Sequence, residues 1–115
     1  MRIQVRELEG GRPAVHVAVD GDLDIKTAAE LRELLASHTV RSYVVITLAE
    51  LKTVDSTGLG VLIGGLKRAR ETDGDVVLAE VPRHVEKILD VTGLSRVFKV
   101  YPTLADALGV LAPPN

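Results

Sequence analysis

Hydrophobic positions along the chain follow two different spacings, and their succession predicts an α/β fold. Apolar residues at every second position, or in short unbroken runs, predict five strands, at residues 3–8, 14–19, 43–48, 75–80 and 96–100. Apolar residues three and four positions apart predict four helices, beginning near Thr27, near Ser56, at Pro82 and near Thr103. The predicted order is therefore β-β-α-β-α-β-α-β-α.

This order of elements predicts the topology of the sheet. Strands that alternate with helices are joined by right-handed crossovers and lie parallel. Residues 9–12 contain two adjacent glycines and predict a turn, so the first two strands are expected to form an antiparallel hairpin at one edge. A mostly parallel sheet of about five strands with four helices follows. The length of 115 residues predicts one domain over residues 1–115.

The ends of the helices carry recognisable signals. Thr27 and Glu30 have the spacing of a capping box, with Thr27 as the N-cap. Gly93 is expected to end the third helix, because glycine readily adopts the left-handed conformation found there. Leu111 is predicted to face the core from the last helix, and residues 112–115 are expected to fray.

The second helix contains four glycines, although each internal glycine costs roughly 1 kcal/mol relative to alanine. They are Gly58, Gly60, Gly64 and Gly65. Two explanations remain open for them: close packing inside the protein, or a backbone left uncovered for another protein. We expect the first pair to leave the backbone near Ser56 open, and the second pair to let the helix press on its own sheet.

Ser56 lies where this helix is predicted to begin, at or one residue before its first turn. Asp55 and Ser56 are of the residue types that accept hydrogen bonds from the free N–H groups of a helix start. The positive end of the helix dipole favours a dianion at this place. A phosphate on Ser56 would add about −1.5 to −2 charges beside Asp55. Such a modification is predicted to stop docking without unfolding the domain.

Composition excludes several classes of function. The formal net charge is −2 and the aromatic residues number three, whereas nucleic-acid binding favours a basic patch with aromatic side chains. The chain has no cysteine, which excludes disulfides and thiolate chemistry. A signal-peptide segment and an apolar run of membrane-spanning length are both absent. We therefore expect a cytoplasmic protein without a nucleic-acid or membrane partner.

Motifs for catalysis and metal binding are not met. A phosphate-binding loop needs a lysine that the glycine-rich stretch lacks, and a dinucleotide fingerprint needs glycine at the position of Ile63. A serine-hydrolase elbow around Ser56 needs glycine at the position of Val54. The histidines lie on different predicted elements, which disfavours a triad with Ser56; they are His16, His38 and His84.

Alternate acidic residues at positions 20, 22 and 24 are of a type that binds calcium. No closing glutamate follows them at the right distance, which favours a solvated acidic turn. The chain is thus predicted not to be an enzyme and to need no metal or cofactor.

Three motifs together resemble a known family. Val54-Asp-Ser-Thr-Gly-Leu-Gly-Val-Leu62 is similar to the phosphorylation loop of the STAS-domain anti-sigma factor antagonists, also called anti-anti-sigma factors. Gly21-Asp-Leu-Asp-Ile-Lys-Thr-Ala28 and Asp90-Val-Thr-Gly-Leu94 resemble two further segments of that family. The resemblance covers nearly the whole chain and implies a STAS-type fold. One departure is Thr47, where the family often has Asp or Asn before the leucine.

The resemblance implies a mechanism of partner switching. The unphosphorylated protein would bind an anti-sigma factor that is also a serine kinase of the histidine-kinase-like ATPase type, and so free a sigma factor. Phosphorylation at Ser56 would end binding, and a PP2C-type phosphatase would restore it. By the same likeness Asp24 and Thr57 would line the docking surface. The residues expected to bind the partner are Asp24, Asp55, Ser56, Thr57, Gly58 and Gly60.

Other roles remain open on the sequence alone. One is a scaffold in a stress-signalling assembly, and another is an accessory subunit of a membrane transport complex. Transport accessories of this family often lose the acceptor serine, and Ser56 is present here. A small hydrolase using Ser56 is the third alternative, and the missing elbow argues against it. The protein is expected to be a monomer or a weak homodimer.

Overall fold

The computed structural model of the chain describes residues 1–9 and 12–110. The strands of the described residues are β1 (Arg2–Leu8), β2 (Ala14–Leu23), β3 (Tyr43–Thr47), β4 (Leu51–Val54), β5 (Asp75–Ala79) and β6 (Val100–Tyr101). The helices are α1 (Ala28–His38), α2 (Ser56–Glu71), α3 (Arg83–Thr92) and α4 (Leu104–Gly109). Three predicted features lie outside the described residues: the inward-facing Leu111, the two glycines of the predicted turn, and the frayed tail at 112–115.

The sheet has the predicted topology. Its strands follow the order β1-β2-β3-β5-β6, with β4 paired separately to β2. Strand β1 runs antiparallel to β2, and every other pairing is parallel. The mostly parallel sheet with an antiparallel edge hairpin and four helices is therefore confirmed.

Strand β2 changes partner along its length. Its first half pairs with β3, and from Gly21 onward it pairs with β4, where Leu23 lies opposite Val54. The register of this second pairing shifts between Gly21 and Asp22. Gly21 has φ +90°, a conformation that glycine adopts without the steric cost of a side chain. Its N–H donates to the carbonyl oxygen of Glu50 at 2.9 Å. The end of β2 and the end of β4 therefore leave the sheet side by side.

Helices cover the two faces of the sheet unequally. The larger core includes buried side chains of α1, α2 and α3 packed on one face, with strand residues Val15, Val17, Val19, Val44, Ile46, Val76 and Leu78. Helix α4 packs on the other face against a smaller cluster that includes Tyr43 and Val77. The Tyr43 hydroxyl donates to the carbonyl oxygen of Ala107 at 3.1 Å, and burial raises the pKa of this phenol. None of the helices in the described ranges is long and apolar enough to cross a membrane.

Two strand predictions need correction. The segment before α2, for which the sequence analysis predicted no strand, contains the separate strand β4. The predicted strand at 96–100 is mostly irregular, because Gly93 at φ +79° leads into a 3₁₀ turn over Leu94–Arg96. At this end of the chain the pairing with β5 is made by Val100 and Tyr101.

The predicted capping box of α1 is also wrong. Thr27 occupies the N-cap position, but its side chain makes no capping hydrogen bond. Its hydroxyl instead donates to the carbonyl oxygen of Asp22 at 2.8 Å and accepts from the N–H of Asp24 at 3.0 Å. The Thr27 hydroxyl is thus bonded to the loop before the helix and not to the N–H groups of the helix start. Glu30 is exposed.

The second pair of glycines in α2 serves a different contact from the predicted one. A Cβ on Gly65 would lie 2.9 Å from Cδ1 of Leu35, so this glycine lets α2 approach α1 closely. A Cβ on Gly64 would meet only the end of the Arg68 side chain, at 3.7 Å. The expectation that this pair presses the helix onto the sheet is therefore wrong.

Candidate functional site

The candidate site is built on the first turn of α2. Asp55 precedes the helix with an extended backbone, and its Oδ1 accepts from the N–H of Gly58 at 2.9 Å. This bond satisfies one of the free N–H groups of the helix start. Ser56 is the first helical residue, as predicted, and its side chain is exposed. Because Asp55 is the cap, the Ser56 hydroxyl is not needed for that purpose.

Asp55 also holds a second segment of chain in place. Its Oδ2 accepts from the N–H of Ile25 at 3.1 Å, and its own N–H donates to the carbonyl oxygen of Leu23 at 3.1 Å. One carboxylate thus joins the helix start to the loop that follows β2. Asp24 and Ser56, which the sequence analysis assigned to one docking surface, lie on these two joined segments.

The loop after β2 is fixed by its own hydrogen bonds. Oδ1 of Asp24 accepts from the N–H of Lys26 at 2.9 Å and from the N–H of Thr27 at 3.2 Å. Asp24 is half-buried, whereas Lys26 is exposed. This use of a carboxylate to bind its own following backbone is typical of a tight turn. Asp24 therefore shapes the loop as well as facing the surface.

The two glycines of the first pair in α2, Gly58 and Gly60, have different roles. A Cβ on Gly58 would lie 2.6 Å from the carbonyl oxygen of Leu23 and 2.7 Å from its Cγ, and Gly58 is buried. The expectation that Gly58 leaves the backbone open is therefore wrong, because it makes room for β2. Gly60 is exposed, and a Cβ there would meet nothing within 4 Å. Internal packing does not explain Gly60.

Ile25 is a feature that the sequence analysis did not single out. Its side chain is 72% exposed, although its backbone is bonded to Asp55. The available signal was an aliphatic residue between Asp24 and Lys26, outside the apolar stripe of α1. Thr57, by contrast, was singled out and is half-buried at the second position of α2.

A second polar cluster lies on the sheet face that α4 covers in part. Nε2 of His16 is 2.8 Å from Oγ1 of Thr47. The side chain of Thr47, the residue that departs from the family pattern, is therefore bonded to β2 and not to the loop before α2. Burial lowers the pKa of His16 and the positive charge of Arg6 lowers it further, while Glu80 opposes them. The His16 ring lies on the sheet face that α4 covers in part, whereas Ser56 lies on α2, which packs on the opposite face.

This arrangement offers no catalytic or metal-binding constellation in residues 1–9 and 12–110. None of the side-chain hydrogen bonds found there joins Ser56 to a histidine. Over the same ranges, no group of three or more histidine, aspartate or glutamate side chains is placed to hold a metal ion. What the site offers is an exposed hydroxyl, half-buried carboxylates and an exposed aliphatic side chain on two joined segments.

Comparison with known families gives one match that spans most of the chain. The family model described as the STAS domain matches residues 3–107. The chain is 30% identical over 102 residues to the anti-sigma-B factor antagonist of Listeria monocytogenes, covering 87% of this chain and 90% of that one. It is 30% identical over 111 residues to the anti-sigma F factor antagonist of Paenibacillus polymyxa, covering 94% of each.

Solved structures share the fold. An anti-sigma-factor antagonist (STAS) domain protein from Planctomyces limnophilus superposes with a TM-score of 0.81 at 20% identity, covering 95% of this chain and 98% of that one. The Bacillus cell fate determinant SpoIIAA in its phosphorylated form superposes with a TM-score of 0.71 at 17% identity, covering 94% and 99%. At these identities the likeness establishes the fold alone.

Proposed function

The chain belongs to the STAS domain family, and from that premise we propose that it is an anti-sigma factor antagonist switched by phosphorylation at Ser56. The unphosphorylated protein binds an anti-sigma factor that is also a serine kinase, and so frees a sigma factor. The observation that carries this proposal is the exposed Ser56 at the start of α2, joined through Asp55 to the loop that contains Asp24.

Accessibility of the Ser56 hydroxyl supports its role as the acceptor. Asp55 already caps the helix, so transfer of a phosphoryl group would not remove a hydrogen bond that holds the first turn. Within the described ranges, no other side chain is bonded to this hydroxyl. Thr57 also carries a hydroxyl but is half-buried, which makes it the less accessible neighbour.

Electrostatics supports an off switch that leaves the fold intact. A phosphate at the first position of α2 lies near the positive end of the helix dipole, where negative charge is favourable. The same phosphate adds about −1.5 to −2 charges next to the carboxylates of Asp55 and Asp24. A partner fitted to the unmodified surface would then face both bulk and excess negative charge. SpoIIAA, a protein of the same fold, has itself been solved in a phosphorylated form.

The proposed docking surface consists of residues on the two joined segments. Asp24, Asp55, Ser56, Thr57 and Gly60 are all exposed or half-buried. Gly58 lies beneath them and acts by letting α2 sit close to β2. Gly60 keeps the second turn of α2 free of a side chain, so that another protein can approach the backbone.

The remaining parts of the proposal follow from the same mechanism. A PP2C-type phosphatase would remove the phosphate and restore binding. The protein would act in the cytoplasm as one domain over residues 1–115. It would act as a monomer or a weak homodimer.

The test mixes the protein with ATP and each ATPase-type anti-sigma factor kinase of the source organism. Ser56→Ala is compared with the matched variant Thr57→Ala, phosphate is counted by intact mass, and binding is titrated by calorimetry. We expect one phosphate on wild type and Thr57→Ala, none on Ser56→Ala, and binding by all three when unmodified. Stoichiometric phosphate on Ser56→Ala would place the acceptor elsewhere. Equal affinity of modified and unmodified wild type would refute the switch.

A further inference from the structure

Ile25 presents an exposed aliphatic side chain on the loop that Asp55 joins to the start of α2. We infer that this side chain is an apolar anchor that inserts into an apolar pocket of the anti-sigma factor; the inference rests on the function proposed above. Nothing in the family match or the names of the relatives assigns a role to this position. The partner feature it requires is a pocket lined by aliphatic or aromatic side chains, next to the groove that receives Ser56.

Exposure alone would not support this inference, because scattered exposed aliphatic residues are common on protein surfaces. Val91 on α3 is 88% exposed, more than Ile25 at 72%. The difference is position. The Ile25 N–H is bonded to the carboxylate of Asp55, the residue immediately before Ser56. A protein that docks over the Ser56 hydroxyl therefore meets the loop that carries Ile25, whereas Val91 lies on a different helix.

The loop presents Ile25 in a fixed position before any partner arrives. Asp24 binds the N–H groups that follow Ile25, at Lys26 and Thr27, and the Thr27 hydroxyl is bonded back to Asp22. A side chain held on an ordered backbone loses less conformational freedom on binding than one on a mobile loop. Residues that dominate binding energy fill well-packed pockets and are surrounded by contacts that exclude water. An aliphatic side chain that fills a pocket can act as such an anchor. Half-buried Asp24 and Asp55 flank Ile25 in this manner.

The structure also indicates that the fold does not need this side chain. Ile25 does not belong to either apolar core of the described residues, and it precedes the buried stripe of α1. Removing the side chain should therefore change binding and leave folding intact. This separation makes the inference testable with single substitutions.

The experiment uses the full chain and the anti-sigma factor kinase that binds wild type in the test above. Ile25→Ala, Ile25→Leu and the matched control Val91→Ala are titrated by calorimetry. Ser56 phosphorylation by the same kinase is measured at varied protein concentration. We expect Ile25→Ala to bind roughly 10- to 50-fold more weakly, and Ile25→Leu to stay within about fivefold of wild type. Val91→Ala should match wild type. The loss should appear in the KM for phosphorylation more than in kcat, because Ile25 does not touch the reacting atoms.

Each outcome is decisive. A melting temperature of Ile25→Ala within about 2 °C of wild type, together with weaker binding, supports the anchor. Affinity of Ile25→Ala within about twofold of wild type, measured with a kinase that binds wild type, overturns the anchor and leaves the proposed function standing. An equal loss in Val91→Ala overturns it too, since the effect would not depend on position. If wild type binds none of the kinases, the proposed function fails and this inference fails with it.

Discussion

The carbonyl oxygen of Leu23 lies 2.6 Å from the position that a Cβ on Gly58 would occupy. Real Cβ atoms do not approach backbone atoms so closely, and here neither partner is the flexible end of a side chain. Helix α2 can therefore start beside the end of β2 only while residue 58 is glycine. This contact brings Ser56, the proposed acceptor, and the loop after β2 within reach of the Asp55 carboxylate.

Gly58→Ala should destabilise the fold. The added methyl must push α2 away from Leu23, and overpacking of this kind typically costs about 1–3 kcal/mol. That loss is expected to exceed the roughly 1 kcal/mol that alanine gains over glycine in a helix. Urea unfolding followed by circular dichroism measures the difference. A variant as stable as wild type would show that α2 can shift without penalty.

Gly60→Ala provides the matched comparison in the same helix. A Cβ at this position meets nothing within 4 Å, so the free energy of unfolding should stay the same or rise by up to roughly 1 kcal/mol. Affinity for the anti-sigma factor should fall, because a methyl enters the proposed docking surface. Calorimetric titration and a thermal melt test both expectations. Unchanged affinity with a lower melting temperature would assign Gly60 to folding instead.

Asp55→Ala should cost more stability than Ser56→Ala. The Asp55 carboxylate accepts from Gly58 and from Ile25, and loss of an N-cap costs about 0.5–2 kcal/mol. Ser56 is exposed and does not cap the helix, so its replacement should stay within about 0.5 kcal/mol of wild type. Chemical denaturation of both variants tests the order. Asp55→Asn is the control, because its amide oxygen can still accept one of the two bonds.

Ser56→Asp and Ser56→Asn separate the effect of charge from that of bulk. The two side chains have nearly the same size, and only aspartate adds charge beside Asp55. Both variants should fold, with a small advantage for aspartate at a helix N-terminus. We expect Ser56→Asp to bind the anti-sigma factor at least about tenfold more weakly than Ser56→Asn. Equal affinities in calorimetry would mean that bulk alone governs release.

Stability should fall in mild acid because of His16. Its pKa in the folded protein lies below the ordinary value of 6.5, since burial disfavours the charged ring. The unfolded chain therefore binds the proton first, and stability decreases as pH falls from about 6.5 toward the folded pKa. The melting temperature of wild type should drop more than that of His16→Gln between about pH 7.5 and 5.5. Equal drops in the two proteins would exclude His16 as the cause.

Long elements with a clear periodicity could be predicted from the sequence. The run at 43–48, apolar except for Thr47, specifies a buried central strand, and Leu59, Leu62 and Leu66 specify the inner face of α2. Strand β4 could not be predicted in the same way. It has four residues, two of them exposed, and only its pairing with the far end of β2 makes it a strand.

Parts of the site that depend on tertiary contacts also could not be predicted from the sequence. Thr27 and Glu30 have the spacing of a capping box, but the carbonyl oxygen of Asp22 captures the Thr27 hydroxyl. Gly58 and Gly60 look alike in sequence, and only the approach of Leu23 distinguishes them. The exposure of Ile25 follows from how the loop after β2 is bonded to Asp55, which no local pattern encodes.

The pairing of Leu23 with Val54 has a consequence for the order of folding and phosphorylation. In the sequence α1 and β3 separate these residues, and we expect contacts of that kind to close after local helices have formed. A nascent or partly folded chain would then carry Ser56, the proposed acceptor, without the loop after β2 beside it. A kinase that must contact both segments at once would then modify folded molecules and not partly folded ones. Phosphorylation would then switch off only protein that has reached its native state.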